Sequence, residues 1–308
     1  MSGKTAGPPT RWCDLHTHST ASDGRLTPEG VVEQAAALGL QALALTDHDT
    51  VAGLDAAWEA ARKQGLTFIP GLELSTDWDD GECHILGYWL DYRAPALVEV
   101  LEHFRESRLE RGRRMVERLQ ALGVPISWEW VQERARGGTV TRAHVAEALL
   151  EKGYVATRQE AFERYLGIGR PAYVARHKLS PEEAVRLVRR FHGVPVLAHP
   201  TSVEPGRDWT DDSRPLHPWP FLERLREAGL LGLEAYAGMG PPEASPRLVA
   251  LAERYGLIVT GGSDFHGFAE DAGLGSVPVP PTAVQDLRRL ARDCGSPWIG
   301  EFPKAPPP

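Results

Sequence analysis

The chain has 308 residues, of which 42% are hydrophobic and 25% charged, so it is long enough for one large α/β domain or two small ones. No apolar run approaches the roughly 20 residues that a membrane helix needs, and residues 1–12 lack the apolar segment of a secretory signal. The net charge of −8 disfavours a protein that coats nucleic acid. Three cysteines without CxxC spacing favour a reducing compartment, so we expect a cytoplasmic protein with no membrane association and no obligate protein partner.

Short apolar runs alternate with amphipathic segments along most of the chain. Strands are predicted at 12–16, 41–45, 67–72, 84–89, 194–198, 232–235, 257–260 and 298–301. Helices are predicted between Thr27 and Gly39 and at 51–64, 181–191, 218–228, 246–255 and 283–292. Repeated β-α units of this kind predict an α/β fold in which parallel strands close into a barrel with the helices outside.

Residues 95–178 break this alternation, because the pattern there is helical only. The predicted helices cover 95–122, 127–135, 141–151 and 157–166. We interpret 95–178 as a helical insertion on the barrel rim, where it could form a lid or a wall that selects the substrate. The barrel domain then comprises 11–94 and 179–302, and the ends at 1–10 and 303–308 are expected to be disordered.

Six of the eleven histidines lie in short motifs that combine imidazoles with carboxylates beside strand-like runs. The imidazoles and carboxylates of these motifs are Asp14, His16, His18, Asp23, Asp47, His48, Asp49, Glu73, His84, His199, Asp264 and His266. Residues two apart at a strand end, such as His16 and His18, project to the same face. Barrel enzymes collect their chemistry at the carboxyl ends of the strands. The sequence therefore predicts a multinuclear metal site, and a metal site in such a place usually serves hydrolysis.

The motifs together resemble those of a known family. They are Asp14-Leu-His-Thr-His18 with Ser22-Asp23-Gly24, Leu45-Thr-Asp-His-Asp-Thr50, Pro70-Gly-Leu-Glu-Leu-Ser75, His84-Ile-Leu-Gly-Tyr88, Ala198-His-Pro200 and Gly262-Ser-Asp-Phe-His266. This set resembles the PHP family, named after polymerase and histidinol phosphatase. The resemblance implies a distorted seven-stranded (β/α) barrel with metal-dependent phosphoesterase activity. Within the family, the chain is similar to stand-alone bacterial members that hydrolyse nucleoside 3′,5′-bisphosphates and trim short RNA from the 5′ end.

The resemblance also implies a three-metal site. The first metal would be held by His16, His18, Glu73 and Asp264, the second by Glu73, His84 and His199, and the third by Asp23, His48 and His266. Mn²⁺ is favoured by the resemblance, while the donor types suit Zn²⁺ or Fe²⁺ as well. Asp47 and Asp49 are interpreted as partners that fix the ring of His48.

Glu73, Asp264 and His266 are the predicted catalytic residues. In the mechanism that we expect, two metals share a bridging hydroxide that attacks the phosphate, and the third neutralises phosphate oxygens. No protein nucleophile is required.

Substrate binding needs donors beyond the metals. Arg142 begins a predicted helix, where its guanidinium and free backbone N–H groups could bind an anion together. His144, Arg170 and Lys178 are further candidates in or at the end of the insertion. The expected partners are a small phosphate ester, chiefly a nucleotide, and short single-stranded RNA.

Four alternatives remain open from the sequence, of which a non-enzymatic metal-binding protein is the least favoured. The same chemistry could serve histidinol phosphate, making the chain a histidinol-phosphate phosphatase. The chain could instead be a polymerase-associated PHP module with a structural or proofreading role. A barrel hydrolase that acts on a C–N or C–O bond is the third alternative.

Overall fold

The computed structural model describes residues 13–78, 81–135, 140–175, 179–203, 208–210, 219–269 and 271–299. Its strands are β1 (Cys13–Asp14), β2 (Ala42–Leu45), β3 (Thr67–Trp78), β4 (Gly81–Tyr88), β5 (Val194–Leu197), β6 (Gly232–Ala237) and β7 (Ile258–Gly262). Its helices are α1 (Pro28–Ala37), α2 (Leu54–Gln64), α3 (Pro95–Ala121), α4 (Trp128–Ala135), α5 (Arg142–Glu151), α6 (Arg158–Ala161), α7 (Pro181–Arg190), α8 (Pro220–Ala228), α9 (Ser245–Tyr255) and α10 (Thr282–Asp293). A π-helical turn at Phe162–Leu166 continues α6, and 3₁₀ turns cover Pro200–Ser202 and Pro242–Ala244.

The seven strands form one sheet in chain order from β1 to β7. Strands β1, β2 and β3 pair in parallel, as do β5, β6 and β7, whereas β4 is antiparallel to both of its neighbours. The sheet curls until its two edges meet. There, the Leu15 N–H donates to the Gly261 carbonyl at 3.2 Å, and the Asp264 N–H donates to the His16 carbonyl at 2.9 Å. The predicted seven-stranded α/β barrel is therefore confirmed.

Two details of the predicted barrel are wrong. The strands are not all parallel, since only residues 79 and 80 separate β3 from β4, and a parallel crossover needs about a dozen residues or more. The expected final strand at 298–301 is absent at residues 298–299, and its last two residues lie outside the described ranges. Trp298 instead stacks on Tyr92, with 4.5 Å between the ring centroids.

The barrel core consists of strand side chains covered by one face of each outer helix. Leu43, Ile69 and Leu197 are fully buried, as expected for strands that are covered on both faces. Helix α7 begins at the capping box that its sequence predicts, with the Glu183 N–H donating to Ser180 Oγ at 3.2 Å and the Ser180 N–H donating to Glu183 Oε2 at 2.8 Å. The residues that α7 buries are Pro181, Ala184, Val185 and Val188.

Helices α3 to α6 enclose a second apolar cluster, separate from the barrel core, which includes Met115, Leu119 and Leu149. The first turns of α3 nevertheless pack on the barrel core through Leu97 and Leu101. Helix α3 thus contributes to both clusters, and the division of the chain at residue 95 stays a prediction. Although α3 has 27 residues, no helix of the described residues is both long and apolar enough to cross a membrane.

Gly262 allows the last strand to approach the first. A Cβ atom at this position would lie 2.3 Å from the backbone nitrogen of His16 and 2.8 Å from its Cα, distances that a side chain cannot adopt. Gly262→Ala should therefore lower the free energy of unfolding by about 1–3 kcal/mol, measured by urea denaturation. Gly273→Ala is the matched control because a Cβ there meets no atom within 4 Å. Equal stability of the two variants would contradict this account of barrel closure.

Candidate metal centre

The nine predicted ligand positions come together at the end of the barrel where the parallel strands finish. His16 and His18 follow β1, His48 follows β2, His199 follows β5, and Asp264 and His266 follow β7. Glu73 lies within β3, His84 within β4, and Asp23 in the loop between β1 and α1. Because the motifs sit at these strand ends, residues far apart in the sequence converge on one point.

Glu73 is the centre of the cluster. Its side chain is fully buried, and five imidazoles lie within 3.4 Å of its two carboxylate oxygens. The shortest of these contacts joins His84 Nδ1 to Oε1 at 2.9 Å, and His48 Nδ1 lies 3.0 Å from Oε2. The other three come from His16, His18 and His199. A buried carboxylate with so many nitrogen neighbours is typical of a bridging metal ligand.

The side chains form three overlapping groups in which potential ligand atoms lie within 4.8 Å of one another. The groups are His16–His18–Glu73–Asp264, His18–Asp23–His48–His266 and His48–Glu73–His84. The first coincides with the predicted first metal site, and the second contains the three residues predicted for the third. His199 Nε2 lies 3.1 Å from Glu73 Oε1, beside the last group.

The hydrogen bonding of the cluster is incomplete. Six of its buried nitrogen and oxygen atoms lie close to other members of the cluster but make no hydrogen bond of proper geometry among the described residues: His16 Nε2, His18 Nδ1 and Nε2, Asp23 Oδ1, His48 Nδ1 and Glu73 Oε2. Leaving buried polar atoms unpaired costs about 1–3 kcal/mol each, so native structures seldom do it. Divalent cations bound between these atoms would satisfy them, and the donor set therefore fits a metal centre.

The charges of the cluster depend strongly on one another. Burial acts to lower the pKa of His266, but the Asp23 and Asp264 carboxylates outweigh it and raise this pKa to about 10. At His18, burial and the neighbouring His266 imidazole lower the pKa to about 3. Burial acts to raise the pKa of Glu73, yet the surrounding imidazoles bring it well below its usual range. The carboxylates thus stay ionised, as metal ligation requires, while a metal would have to displace the proton from His266.

Glu234 supports the cluster and was not among the predicted site residues. Its carboxylate is buried in β6, with Oε1 3.1 Å from His16 Nδ1 and Oε2 accepting the His199 N–H at 2.6 Å. A carboxylate on the far nitrogen of an imidazole fixes the ring orientation and strengthens the other nitrogen as a ligand. Glu234 therefore turns His16 Nε2 towards Glu73 and Asp264, 3.4 and 3.3 Å away.

Three buried aspartates hold the loops that carry the cluster. Asp14 accepts the N–H of Ser263, the residue before Asp264, at 2.9 Å. It also accepts the Gly275 N–H at 2.8 Å. The hydrogen bonds of Asp47 go to the loop before Asp23, namely to Ser19 N–H, Ser19 Oγ and Ser22 Oγ. Those of Asp49 go to the Arg108 guanidinium and the Ser75 N–H. Asp47 and Asp49 therefore act on neighbouring loops and on α3, and their predicted action on the His48 ring stays a prediction.

The backbone at the site is strained at two ligand candidates. Asp264 and His199 have φ angles of 56° and 25°, in the left-handed region that non-glycine residues rarely adopt. Such conformations cost about 1–3 kcal/mol and cluster at functional sites. The left-handed conformation directs both side chains towards the cluster immediately after their strands. No sequence pattern indicated this conformation.

A cavity of about 730 Å³ lies over the cluster. Its floor includes Glu73, His199 and Asp264, and its other walls are formed chiefly by the insertion and by the loops after β6 and β7. The lining residues of those walls include Arg142, Arg158, Phe162, Ile168, Met239 and Asp271. A cavity of this volume accommodates a nucleotide-sized ligand.

Arg142 lines this cavity, and its predicted contact with the substrate stays a prediction. Its guanidinium forms an ion pair with Glu82 and lies 5.5 Å from the Phe162 ring centroid. His144, in contrast, serves the start of α5, because its Nδ1 accepts the Thr141 N–H at 3.0 Å. Burial lowers the pKa of His144, so this imidazole favours its neutral form. The predicted substrate contact of His144 stays a prediction.

Of the two remaining predicted substrate residues, the structure describes one. Arg170 is exposed and is not among the residues that line it. Lys178 lies outside the described residues.

Arg158 lines the cavity but was not among the predicted site residues. Its guanidinium lies 3.6 Å from the Phe268 ring centroid and donates to Asp271 Oδ1 at 3.3 Å. Asp271 Oδ2 in turn accepts the N–H groups of Phe268 and His266, at 3.0 and 3.3 Å. Arg158 thus ties the insertion to the loop that carries His266. A basic residue in a polar helix gives no sequence signal for such a role.

Comparisons with known proteins identify relatives over most of the chain. A model of the PHP domain matches residues 14–168. The 5′-3′ exoribonuclease Rnm of Escherichia coli (strain K12) is 36% identical over 279 residues, which cover 90% of this chain and 92% of that protein. The 3′,5′-nucleoside bisphosphate phosphatase of Chromobacterium violaceum is 36% identical over 262 residues, which cover 83% and 88%.

A solved structure has the same architecture. It is that of a Bifidobacterium adolescentis protein classed as a candidate metal-dependent phosphoesterase. The two chains superpose with a TM-score of 0.80 and are 34% identical, over 92% of this chain and 98% of that one. The shared fold therefore extends over most of the chain and is not confined to the motifs.

Glu234→Gln should weaken metal binding because it removes the charge that orients His16 and leaves the side-chain volume unchanged. Loss of such an outer partner typically costs about 10–100-fold in affinity, which calorimetric titration of the metal-free protein with Mn²⁺ would measure. Glu227→Gln, at an exposed position on α8, is the control and should bind Mn²⁺ like the wild type. Unchanged affinity in Glu234→Gln would contradict the role given to this carboxylate.

Proposed function

The chain belongs to the PHP domain family, and on this premise we propose that it is a metal-dependent phosphoesterase that hydrolyses phosphate monoesters. Nucleoside 3′,5′-bisphosphates are the main proposed substrates, and the 5′ ends of short RNA oligonucleotides are the second class. The observation that carries the proposal is the Glu73-centred cluster of imidazoles and carboxylates at the floor of a nucleotide-sized cavity. The relatives named above act on substrates of these two classes.

The three overlapping ligand groups would hold three divalent cations, with His199 beside Glu73 in the His48–Glu73–His84 group. Imidazole and carboxylate donors suit Mn²⁺, Fe²⁺ or Zn²⁺, and Mn²⁺ is favoured by the family resemblance. When bound, the cations would lower the pKa of water and stabilise negative charge on the phosphate oxygens.

The residues of the chain have distinct tasks in this reaction. Glu73 and Asp264 supply the negative charge that concentrates cations at the cavity floor, and Glu234 fixes the direction of His16. His266 faces Asp23, with Nε2 3.5 Å from its Oδ1, so this pair can hold a cation or a proton at the edge of the cluster. Arg142 brings a guanidinium to the opposite wall, where it can pair with phosphate oxygens.

The residues that line the cavity also support nucleoside 3′,5′-bisphosphates as substrates. Arg142 and Arg158 stand on walls of a cavity that contains Phe162, Ile168 and Met239 as well. Guanidinium groups bind phosphates, whereas exposed apolar side chains such as Met239, 51% exposed, can contact a base. A nucleoside bisphosphate can contact both the arginines and the apolar side chains of the cavity wall, whereas histidinol phosphate carries one phosphate and no nucleobase.

The test is release of inorganic phosphate from adenosine 3′,5′-bisphosphate with added Mn²⁺, beside AMP, histidinol phosphate and a 5′-phosphorylated tetraribonucleotide. We expect the bisphosphate to be hydrolysed fastest, the oligonucleotide to be shortened from its 5′ end, and both activities to stop with chelator. Preference for histidinol phosphate would contradict the proposed substrate, and activity that persists in chelator would contradict the metal centre.

Asp264→Asn should reduce this activity by about 100-fold or more, because a metal ligand matters at least as much as the outer partners that orient such ligands. Asp286→Asn changes a partly exposed carboxylate on α10 in the same way and is expected to leave kcat unchanged. Circular dichroism would check that both variants are folded. A folded Asp264→Asn variant with wild-type activity would contradict the assignment.

A further inference from the structure

Residues 95–178, which contain helices α3 to α6, are more basic than the rest of the chain. They include 15 Lys and Arg residues against 11 Asp and Glu residues, whereas the rest includes 19 against 31. This part of the chain is therefore positive, although the whole chain has a net charge of −8. Positive charge concentrated on one part of an acidic protein favours contact with a polyanion.

A row of cationic and aromatic side chains begins at the main cavity. Arg158 lines that cavity, and its guanidinium lies 3.6 Å from the Phe268 ring centroid. The guanidinium of Arg25 lies 4.9 Å from the same centroid, and the Arg25 side chain is 57% exposed. Phe268 therefore connects two guanidinium groups, of which one lines the cavity and the other faces solvent.

The row continues onto α4. Phe268, Arg25 and Arg134 border one small pocket, which shares Asp23 with the main cavity. The volume of this pocket is about 40 Å³, near that of one water molecule at roughly 30 Å³, so a nucleotide would lie over it and not within it. The Arg134 guanidinium in turn lies 4.4 Å from the Trp130 ring centroid.

Lys152, at the end of α5, completes the row. It is exposed, and its ammonium nitrogen lies 5.9 Å from the Trp130 ring centroid. We call the six side chains the arginine–aromatic track: Arg158, Phe268, Arg25, Arg134, Trp130 and Lys152. The track leads from the cavity over the metal centre to the outer surface of α4 and α5.

Carboxylates accompany the arginines of the track. Glu147 lies 3.0 Å from Arg25, and Glu151 lies 2.6 Å from Arg134, where both side chains of the pair are 40% exposed. Ion pairs near the surface contribute little stability, so a phosphate can replace the carboxylate. A guanidinium also has five N–H donors, which allows it to bind a carboxylate and a phosphate together.

Single-stranded RNA offers both kinds of group that the track can bind. Its phosphates pair with guanidinium and ammonium groups, and its unstacked bases stack on aromatic rings or on guanidinium planes. Trp130 supplies an indole ring for this purpose, with Arg134 lying over it. An acidic peptide could pair with the charges, but it has no regular series of flat rings beside its own charges.

We propose that the arginine–aromatic track binds the nucleotides of a single-stranded RNA that follow the 5′ nucleotide in the main cavity. This inference rests on the proposed function and adds the surface that distinguishes an oligonucleotide from a mononucleotide. A nucleoside bisphosphate occupies the cavity alone, whereas the RNA extends over Arg25 and Arg134 to Trp130.

The test compares kcat/KM for a 5′-phosphorylated octaribonucleotide with that for adenosine 3′,5′-bisphosphate, both with Mn²⁺. Trp130→Leu and Arg134→Gln should each lower the oligonucleotide value by about 10-fold and change the bisphosphate value less than about twofold, because only the oligonucleotide reaches the track.

Arg164→Gln is the matched control. Arg164 is also exposed, pairs with Glu160 and lies 5.0 Å from the ring centroid of Tyr165, but it borders neither the main cavity nor the small pocket. This variant should match the wild type on both substrates.

A binding measurement separates this inference from the proposed function. With metals removed by chelator, fluorescence anisotropy should show that the wild type binds a labelled octaribonucleotide more tightly than a labelled dinucleotide. Arg134→Gln should reduce this difference and lower the slope of log affinity against log salt concentration by about 0.7, the contribution of one phosphate contact on a single strand. If the wild type hydrolyses no phosphate ester with Mn²⁺, the proposed function fails while this titration still tests the track.

An equal loss on both substrates would overturn the inference, because the substituted residue would then act on the cavity or on the fold. Equal binding of dinucleotide and octaribonucleotide by the wild type would overturn it as well, as would a loss in Arg164→Gln equal to that in Arg134→Gln. Thermal unfolding shows whether Trp130→Leu is folded. If it is not, Arg134→Gln and Lys152→Gln decide the question at exposed positions.

Discussion

The burial of one carboxylate, Glu73, is the constraint on which the site depends. A fully buried carboxylate is tolerated only when positive charge or hydrogen-bond donors surround it, and here five imidazoles from four motifs do so. These imidazoles can converge only because the barrel closes and its strands end at the same level. The close approach at Gly262, the strained backbone of Asp264 and the orientation of His16 by Glu234 all serve this convergence.

Helices α3 and α6 are connected to the ligand-bearing loops by ion pairs. Arg108 forms a buried ion pair with Asp49 directly after His48, and Arg158 is connected through Asp271 to the backbone of His266. Breaking a buried ion pair leaves an uncompensated charge, so these contacts hold the insertion firmly against the ligand-bearing loops. The barrel thus carries the cluster of imidazoles and carboxylates, and helices α5 and α6 contribute Arg142 and Arg158 to the cavity wall.

Much of this site could be predicted from the sequence, because the strands of a barrel end at one face. Histidines and carboxylates in motifs at those strand ends therefore come together. Glu234 escaped prediction since a single acidic residue inside an apolar strand has no neighbouring motif residue. Arg158 escaped prediction because its placement depends on how helices α3 to α6 pack, which helical periodicity does not specify. The direction of β4 was missed because the predicted strands end at 72 and begin at 84, whereas the observed strands are longer and only residues 79 and 80 separate them, a spacing that a hairpin can have and a parallel crossover cannot.

The most direct test of the central claim is a crystal structure of the protein grown with Mn²⁺, with data collected at a wavelength where manganese scatters anomalously. The account predicts anomalous peaks at the cluster, one of them bound by Glu73 together with His16, His18 and Asp264. The absence of any peak within ligand distance of Glu73, in crystals with manganese in excess, would contradict it.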